Sequence, residues 1–285
     1  MTIDQALQIN IKKLNQKRID RPDLEAELLL ASVLKQDRVF LLAHGEKKLT
    51  ICQRLKYRHL IAKKINPWPT AYLTGHQEFF GLDFNVNNRT LIPRPETELL
   101  VESALKIIPN NSPTEIIEVG TGSGCIIISV ARNNPNPQTN YQAIEISRGA
   151  IKMARQNAQR HGLDKTIKFT LGSLLTPISS KNFSNSLIIL ANLPYLTPDQ
   201  FTTSPSIQRE PQSALISGVD GLDLYRELLQ QVTRINAKDI TLIMEIDPAQ
   251  PPIITQLAKK YWPNSKTEVL KDFCGQDRIM IIKIK

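Results

Sequence analysis

Cysteine and histidine are scarce in this sequence, and neither occurs in a pattern typical of a metal site. The three cysteines, Cys52, Cys125 and Cys274, are odd in number and far apart, which argues against a disulfide framework. The four histidines are scattered and form no recognisable catalytic pattern. No apolar stretch is long enough to span a bilayer, and Met1 to Asn10 lacks a signal-peptide pattern. We therefore expect a soluble, cytoplasmic protein that needs no metal.

Two common nucleotide-binding signatures are also missing. There is no G-x-x-x-x-G-K-[ST] motif, and the G-x-G-x-x-G fingerprint fails because Cys125 occupies the position of its third glycine. The chain has instead a strand-like run from Glu115 to Val119, a loop from Gly120 to Gly124 and an apolar helical stretch from Cys125 to Ala131. Glycines in such a loop let the backbone approach a ligand closely. This order of elements predicts a site for a nucleoside or a phosphate.

Two acidic residues near the loop favour a nucleoside. Glu145 lies at the end of the next strand-like run, Tyr141 to Ile146, where its carboxylate can accept hydrogen bonds from both ribose hydroxyls. Glu118 precedes the loop and can face a positively charged part of the ligand. S-adenosylmethionine has a ribose, a sulfonium and an amino group, and it has no pyrophosphate. The pattern therefore predicts S-adenosylmethionine as the cofactor.

A second motif ends the apolar run that begins at Leu187, and it reads Asn192-Leu193-Pro194-Tyr195. Such a run is typical of a strand buried on both faces, and open α/β sheets bind ligands at the carboxyl ends of these strands. Pro194 fixes its own φ and stiffens the turn. The Asn192 amide and nearby carbonyls can accept the hydrogens of a planar NH2 group while the ring of Tyr195 stacks on it. An ordinary turn explains the tetrapeptide alone, but not its combination with the glycine loop.

Basic charge is concentrated near the amino terminus. Residues 1–64 contain 14 Lys and Arg against 7 Asp and Glu, a balance of +7 out of the formal net charge of +9. Such a segment can contact nucleic acid or an acidic protein surface, although a single cluster is more often a solvated helix face. Because few aromatic residues are interleaved with the basic ones, the segment does not resemble a base-stacking platform. We expect a surface that binds a partner.

Helical patterns dominate residues 1–76, where we expect a small helical bundle that docks the partner. Thr50 and Gln53 have capping-box spacing ahead of a helix over residues 51–65. Residues 77–88 are expected to form a hairpin that links this bundle to a second domain over residues 89–285.

From residue 89 onwards, strand-like and helical segments alternate, which predicts a parallel α/β sheet. Strands are expected at 115–119, 141–146, 166–171, 187–191 and 240–246, and helices at 95–108, 123–132, 147–161, 222–236 and 249–261. Two further β-rich runs, Thr267 to Phe273 and Arg278 to Ile284, flank a Gly-containing turn and predict an antiparallel hairpin. Leu196 to Ser217, rich in Pro and Ser, is expected to be a loop that borders the substrate channel. The expected fold class is α/β, with a small N-terminal helical bundle followed along the chain by a Rossmann-like sheet that ends in an antiparallel C-terminal hairpin.

Together these motifs resemble the class I methyltransferases, and most closely the release factor glutamine methyltransferases of the PrmC/HemK type. The resemblance extends over essentially the whole chain and includes, besides the two motifs above, Tyr72–Gly75, Glu78–Val86, Leu91–Glu98, Arg209–Leu215 and Asp272–Ile279. Leu91–Glu98 is the most specific of these, because DNA-directed relatives that share the tetrapeptide do not usually carry it. The chain departs from the family at Leu193, Ser173 and Asp247, where the family usually has a proline, an acid and a glycine.

The resemblance implies that S-adenosylmethionine donates a methyl group to the glutamine of the Gly-Gly-Gln loop of peptide chain release factors, on its side-chain amide nitrogen. It implies that Asn192, Pro194 and Tyr195 are catalytic and that, with Leu193, they bind the substrate. The residues expected to bind the cofactor are Glu118, Gly120, Thr121, Gly122, Ser123, Gly124, Glu145, Ser173, Leu174 and Asn192.

Two other functions fit parts of the pattern. An adenine N6 methyltransferase acting on DNA or RNA would also bind a planar, conjugated amine, after flipping the base out of any duplex. We rank it second because of Leu91–Glu98 and because no target-recognition insertion is evident. A non-catalytic protein that keeps the fold without the cofactor is the third possibility. The intact glycine loop, Glu145 and Asn192 argue against it.

Overall fold

The computed structural model describes residues 1–285, which group by their contacts into two units. The first unit contains residues 1–76 together with 205–209, and the second contains residues 77–204 and 210–285. None of the helices combines the length and the apolar character needed to cross a bilayer.

Five helices form the first unit: α1 (Ile3–Gln16), α2 (Pro22–Leu34), α3 (Arg38–Ala43), α4 (Ile51–Ile65) and α5 (Thr70–Thr74). The capping box ahead of α4 is confirmed, since Gln53 N donates to Thr50 Oγ1 at 3.2 Å and Thr50 N donates to Gln53 Oε1 at 2.9 Å. Tyr57 is fully buried on α4, and its hydroxyl donates to the carbonyl of Ala26 on α2 at 3.0 Å. Leucine and isoleucine side chains of α1, α2 and α4 complete an apolar core around it.

A tight hairpin of β1 (His76–Phe79) and β2 (Leu82–Asn85) follows, and all of it except His76 belongs to the second unit. Phe80 and Gly81 at its turn both have positive φ, 52° and 72°, as a two-residue turn of this type requires. Phe79 and Phe84 are buried in the same apolar cluster as the helices of the second unit. The hairpin therefore belongs to the core of this unit, in addition to joining two parts of the chain.

The remaining strands are β3 (Thr114–Val119), β4 (Thr139–Glu145), β5 (Ile167–Leu171), β6 (Asn182–Phe183), β7 (Ser186–Ala191), β8 (Asn236–Ala237), β9 (Ile240–Glu245), β10 (Lys266–Lys271) and β11 (Asp277–Ile284). The helices of this unit are α6 (Glu98–Ile107), α7 (Cys125–Asn133), α8 (Arg148–Arg160), α9 (Pro198–Thr202), α10 (Asp223–Val232) and α11 (Pro251–Tyr261). Seven strands form one sheet in the order β10-β11-β9-β7-β3-β4-β5.

The sheet has the topology that the sequence predicts. Strands β5, β4, β3, β7 and β9 are parallel, and β11 runs antiparallel to both β9 and β10. An apolar cluster covers each face of the sheet, which explains why the central strands read as continuous apolar runs. The α/β fold with an antiparallel C-terminal hairpin is confirmed.

Three local features differ from the sequence analysis. The expected helix at 95–108 begins with a 3₁₀ turn, Pro95–Thr97, before α6. Helix α10 ends at Val232, because residues 236–237 leave the helix and pair with β6 as the short strand β8. The expected loop at 196–217 contains α9 and two 3₁₀ turns, and α9 begins with its own capping box from Thr197 to Gln200.

Candidate functional site

A cleft with about 930 Å³ of empty space, part of it open to solvent, lies at the carboxyl ends of the parallel strands. This is the edge of an open α/β sheet where ligands bind, and the space suits a small organic cofactor. The residues that line it are Arg89, Thr90, Leu91, Gly120, Gly122, Glu145, Ile146, Ser147, Ala150, Gly172, Ser173, Leu174, Asn192, Leu193, Pro194, Pro211, Ser213, Ala214 and Leu224.

The first two glycines of the loop after β3 line the cleft. Gly120 and Gly122 have φ of 71° and 56°, values that residues with a side chain rarely adopt. A Cβ added at Gly122 would find no protein atom closer than 4.0 Å, so the backbone here is open to a ligand. Gly124 has another role, because an added Cβ would lie 2.9 Å from Ile128 Cδ1 and 3.2 Å from Ala154 Cβ. The third glycine therefore lets α7 and α8 pack closely and does not line the cleft.

Glu145 lies at the end of β4 with its carboxylate at the cleft. Its Oε2 accepts from Gly122 N at 2.9 Å and its Oε1 accepts from Ser147 N at 2.7 Å. Each oxygen has a second lone pair, so the oriented carboxylate can still accept two hydroxyl groups. The neighbouring Ile146 is 67% exposed and also lines the cleft, which places an apolar surface beside this acceptor. Such a pair of surfaces suits a sugar joined to a flat apolar ring.

Glu118 does not line the cleft, in contrast to the expectation that it faces the ligand. It is 1% exposed, and its Oε2 accepts from Thr121 Oγ1 and from Ile127 N at 3.2 Å, while Oε1 has no partner. Burial raises the pKa of Glu118 to about 8. The side chain lies behind the glycine loop, where it accepts from Thr121 of the loop and from Ile127 in the first turn of α7. These two hydrogen bonds fix the loop to the helix.

The other predicted cofactor residues divide into buried and cleft-lining positions. Thr121 and Ser123 are 3% and 2% exposed, and the carbonyl of Ser123 accepts from Asn157 Nδ2 at 2.9 Å. Ser173 and Leu174 follow β5 and line the cleft. Leu174 has a φ of 45°, a strained value for a residue with a side chain, and such values cluster at ligand sites.

Asn192, Leu193 and Pro194 follow β7 and line the cleft. The Asn192 amide donates from Nδ2 to Thr97 Oγ1 at 3.1 Å, which is its only side-chain hydrogen bond, so Oδ1 is left without a donor within the protein. The single hydroxyl proton of buried Tyr225 is shared between the carbonyl of Leu193, at 3.3 Å, and the closer carbonyl of Glu245, whereas the carbonyl of Pro194 has no donor within the protein. Two unpaired acceptors, Asn192 Oδ1 and the Pro194 carbonyl, therefore lie within one tight turn.

Tyr195 is half-buried and does not line the cleft. Its hydroxyl donates to Glu245 Oε1 at 3.3 Å, and its carbonyl accepts from Gln250 Nε2 at 3.4 Å. Burial raises the pKa of Tyr195, and the nearby negative charge of Glu245 raises it further. The tyrosine is therefore neutral at physiological pH.

The segment Leu91–Glu98 is joined to the loop after α9 by an ion pair whose carboxylate is buried. Arg94 Nη2 pairs with Glu210 Oε1, and Glu210 Oε2 accepts from Ile92 N at 3.0 Å. The side chain of Glu210 is 1% exposed. This pairing explains why two segments distant in sequence both reach the cleft, through Leu91 and Pro211.

Sequence reasoning missed several cleft residues, among them Arg89, Thr90, Ala150 and Leu224. Arg89 and Thr90 directly precede the motif Leu91–Glu98, and this proximity could have been used to predict them as site residues. Ala150 and Leu224 lie within helices, and no local pattern marks them. No three His, Cys, Asp or Glu side chains form a group that could hold a metal ion.

Two segments of the chain match known domain families. The PrmC N-terminal domain matches residues 5–75, and a methyltransferase domain matches residues 110–271. The release factor glutamine methyltransferase of Koribacter versatilis is 34% identical over 287 residues, which cover 99% of this chain and 98% of that protein. The enzyme of the same name from Moorella thermoacetica is also 34% identical, over 99% of this chain and 98% of its own.

The solved structures support the fold. The hMettl16 catalytic domain, in complex with MAT2A 3'UTR hairpin 1, has a TM-score of 0.54 over 82% of this chain and 81% of its own. At 12% identity this likeness concerns the fold alone. The full-length similarity to the curated enzymes is far more specific, and it shows that this chain belongs to the family of release factor glutamine methyltransferases.

Proposed function

We propose that this protein transfers a methyl group from S-adenosylmethionine to the side-chain amide nitrogen of the glutamine in the Gly-Gly-Gln loop of peptide chain release factors. The observation that carries the proposal is the pair of unpaired acceptors at the cleft, Asn192 Oδ1 and the Pro194 carbonyl. A primary amide presents two hydrogens in one plane, and a site with two acceptors can take both of them. The reaction takes place in the cytoplasm under this proposal, since release factors act on the ribosome.

The cleft fits the proposed cofactor. Glu145 would accept the ribose hydroxyls, Ile146 and Leu174 would contact the adenine, and the open backbone at Gly122 would let the ligand approach. When bound, S-adenosylmethionine supplies an electrophilic methyl group on a sulfonium.

Asn192 and Pro194 would act on the substrate amide by orienting it. The lone pair of an amide nitrogen is delocalised into its carbonyl, so this nitrogen is a weak nucleophile. Two fixed acceptors would hold both hydrogens and point the nitrogen at the methyl group. They would also stabilise the positive charge that develops on the nitrogen during transfer. Pro194, which lines the cleft, and Tyr195, the next residue, which does not, would flank the amide plane at the edge of the cleft. No committed general base is needed before the methyl group is transferred.

The first unit would dock the release factor. Ile9, Ile51 and Leu55 are 47%, 66% and 61% exposed, and they lie in one groove of α1 and α4 beside Lys13 and Arg58. Exposed apolar side chains next to basic ones suit a partner with an apolar contact and acidic neighbours. The charge balance of +7 in residues 1–64 supports the same role.

Mass spectrometry of release factor incubated with the protein and S-adenosylmethionine tests the proposal. We expect one methyl group on the Gly-Gly-Gln glutamine with the wild-type protein. Asn192→Ala should lose roughly a hundredfold in rate, because one well-placed polar group of a preorganised site is gone. An adenine-containing oligonucleotide serves as the competing substrate. If only the oligonucleotide is labelled, the adenine amine is the substrate and the proposal fails.

The docking role has a separate test. Leu55→Asp should raise the KM for intact release factor and leave the KM for a short Gly-Gly-Gln peptide unchanged, because the peptide cannot reach the groove. Val39→Asp is the matched control, since Val39 is 70% exposed and lies on α3, outside the groove. An equal effect of both variants on intact release factor would argue against the groove.

A further inference from the structure

Thr97 connects the Asn192 amide to a buried carboxylate that the mechanism above does not use. Its Oγ1 accepts from Asn192 Nδ2 at 3.1 Å and donates to Glu245 Oε2 at 2.6 Å. Thr97 is 2% exposed and Glu245 is 1% exposed, so the two hydrogen bonds are shielded from water. Glu245 ends β9, and Asn192 follows the neighbouring strand β7.

The hydroxyl of Thr97 has no role in its own helix. Thr97 ends the 3₁₀ turn Pro95–Thr97 with helical φ and ψ of −68° and −18°, and α6 continues directly from it. Here the side chain makes no capping hydrogen bond. The hydroxyl is instead turned towards Glu245 and Asn192.

The number of protons determines how the Asn192 amide is oriented. A threonine hydroxyl has one proton, and the oxygens of an ionised carboxylate can only accept. Because the Thr97 proton is donated to Glu245, Oγ1 has only its lone pairs to offer Asn192, and these accept from Nδ2. The opposite orientation of the amide would place Oδ1 against the Thr97 oxygen with no proton between them. The Nδ2 atom is therefore held inward and Oδ1 is the atom left for the cleft.

Glu245 is itself anchored on both carboxylate oxygens. Oε1 accepts from the Tyr195 hydroxyl at 3.3 Å, and Oε2 accepts from Thr97. Burial raises the pKa of Glu245, while the hydrogen bonds from Thr97 and Tyr195 and the positive charge of Arg278, which is paired with Asp272 at 3.2 Å, oppose that shift and favour the carboxylate. A carboxylate with both oxygens occupied keeps the Thr97 hydroxyl in one direction.

We propose that Thr97 and Glu245 are positioning residues that orient the Asn192 amide so that Oδ1, and not the NH2 group, faces the substrate nitrogen. The inference rests on the proposed function, since it assigns these residues to the orientation of a substrate amide. Neither residue contacts the substrate. Without them the Asn192 amide could rotate by half a turn and present two hydrogens to the hydrogens of the substrate.

Thr97→Val is the direct test, because valine has nearly the same shape and has no hydroxyl. We expect kcat for release factor methylation to fall by roughly tenfold to a hundredfold, since the catalytic group is present but misoriented. The Kd for S-adenosylmethionine should be unchanged. Thr97→Ser should restore most of the rate, because serine keeps both hydrogen bonds. Thr97→Ala replaces the valine variant if that variant does not fold.

Thr114→Val is the matched control. Thr114 is also fully buried, and its hydroxyl donates to the carbonyl of Ser112 at 3.0 Å, at the opposite end of β3 from the cleft. We expect a comparable loss of stability and no loss of kcat. An equal loss of kcat in this control would mean that Thr97 acts only through stability, and the inference would then be wrong.

A double-variant cycle separates orientation from a direct contribution. If Thr97 acts through Asn192, Thr97→Val should cause no further loss of kcat in an Asn192→Ala background. A full additional loss, or a wild-type rate for Thr97→Val alone, would overturn the inference while the proposed function stands.

The side-chain NH2 signal of Asn192 in an NMR spectrum gives a readout that does not depend on release factor. It is assigned by its loss in Asn192→Ala, and we expect slow exchange with solvent in the wild-type protein and in Thr97→Ser. Thr97→Val should speed this exchange. Equal exchange rates in all three proteins would show that Asn192 Nδ2 does not form the hydrogen bond to Thr97 in solution. This result would count against the inference whatever the substrate is.

Discussion

Replacing Glu145 by alanine should weaken the binding of S-adenosylmethionine by about a hundredfold. Glu145 is 7% exposed, and the two hydrogen bonds from Gly122 N and Ser147 N orient its carboxylate at the cleft. Each ribose hydroxyl would donate to a charged acceptor, and such a bond contributes about 1.5–3 kcal/mol. Allowing for water that replaces the carboxylate, we expect a loss of about 3 kcal/mol, which is about a hundredfold in Kd.

Glu145→Gln should have a smaller effect. Glutamine keeps one acceptor oxygen, but its NH2 group would oppose one of the two backbone donors, Gly122 N or Ser147 N. The variant therefore loses one ribose contact and part of the orientation of the side chain. We expect an affinity between those of the wild-type protein and Glu145→Ala.

Isothermal titration calorimetry of the cofactor measures all three affinities. Glu115→Ala is the matched control, because Glu115 lies near the start of the neighbouring strand β3, where its carboxylate accepts from Asn140 Nδ2 at 2.8 Å, away from the cleft. It should bind the cofactor as the wild-type protein does. An unchanged affinity of Glu145→Ala, or a preference of the wild-type protein for a nicotinamide dinucleotide, would refute this reasoning.

Three further predictions follow from the geometry. Tyr195→Phe should reduce methyl transfer less than Tyr195→Ala in the release factor assay, because the ring remains and only the bond to Glu245 is lost; equal losses would contradict a stacking role. Burial raises the pKa of Glu118 to about 8, so its penalty on folding is absent below its unfolded pKa near 4.5 and grows as pH rises to about 8. Glu118→Gln removes this charge, so it should stabilise the protein more at pH 9 than at pH 5. The difference in the free energy of unfolding should grow by at most about 1.4 kcal/mol per pH unit between the two pKa values, as measured by urea unfolding, and equal effects at both pH values would refute the raised pKa of Glu118. Gly124→Ala should lower the free energy of unfolding by roughly 2–4 kcal/mol, more than Gly275→Ala, because both have positive φ but only Gly124 is crowded.

Local patterns in the sequence were sufficient for the fold. The capping box of Thr50 and Gln53 marks the start of α4, and the alternation of apolar runs and helical stretches predicts the parallel sheet. Such patterns work because caps, turns and periodicity involve residues within a few positions of one another. The glycine loop and the Asn192–Tyr195 turn could be identified for the same reason, since each is a continuous segment at the end of a strand.

Only the tertiary structure decided what individual side chains of these motifs do. The sequence suggests Glu118 and Gly124 as ligand contacts, whereas packing against α7 and α8 turns both away from the cleft. Thr97 is separated from Glu245 by 148 positions, and no local pattern relates the two. Contacts of this kind depend on which strands become neighbours in the sheet. The sequence by itself thus determined the elements, their order and the chemistry available at the strand ends. The packing of distant segments decided which of those groups face the cleft and which hold others in place, because orientation depends on partners that lie far away along the chain.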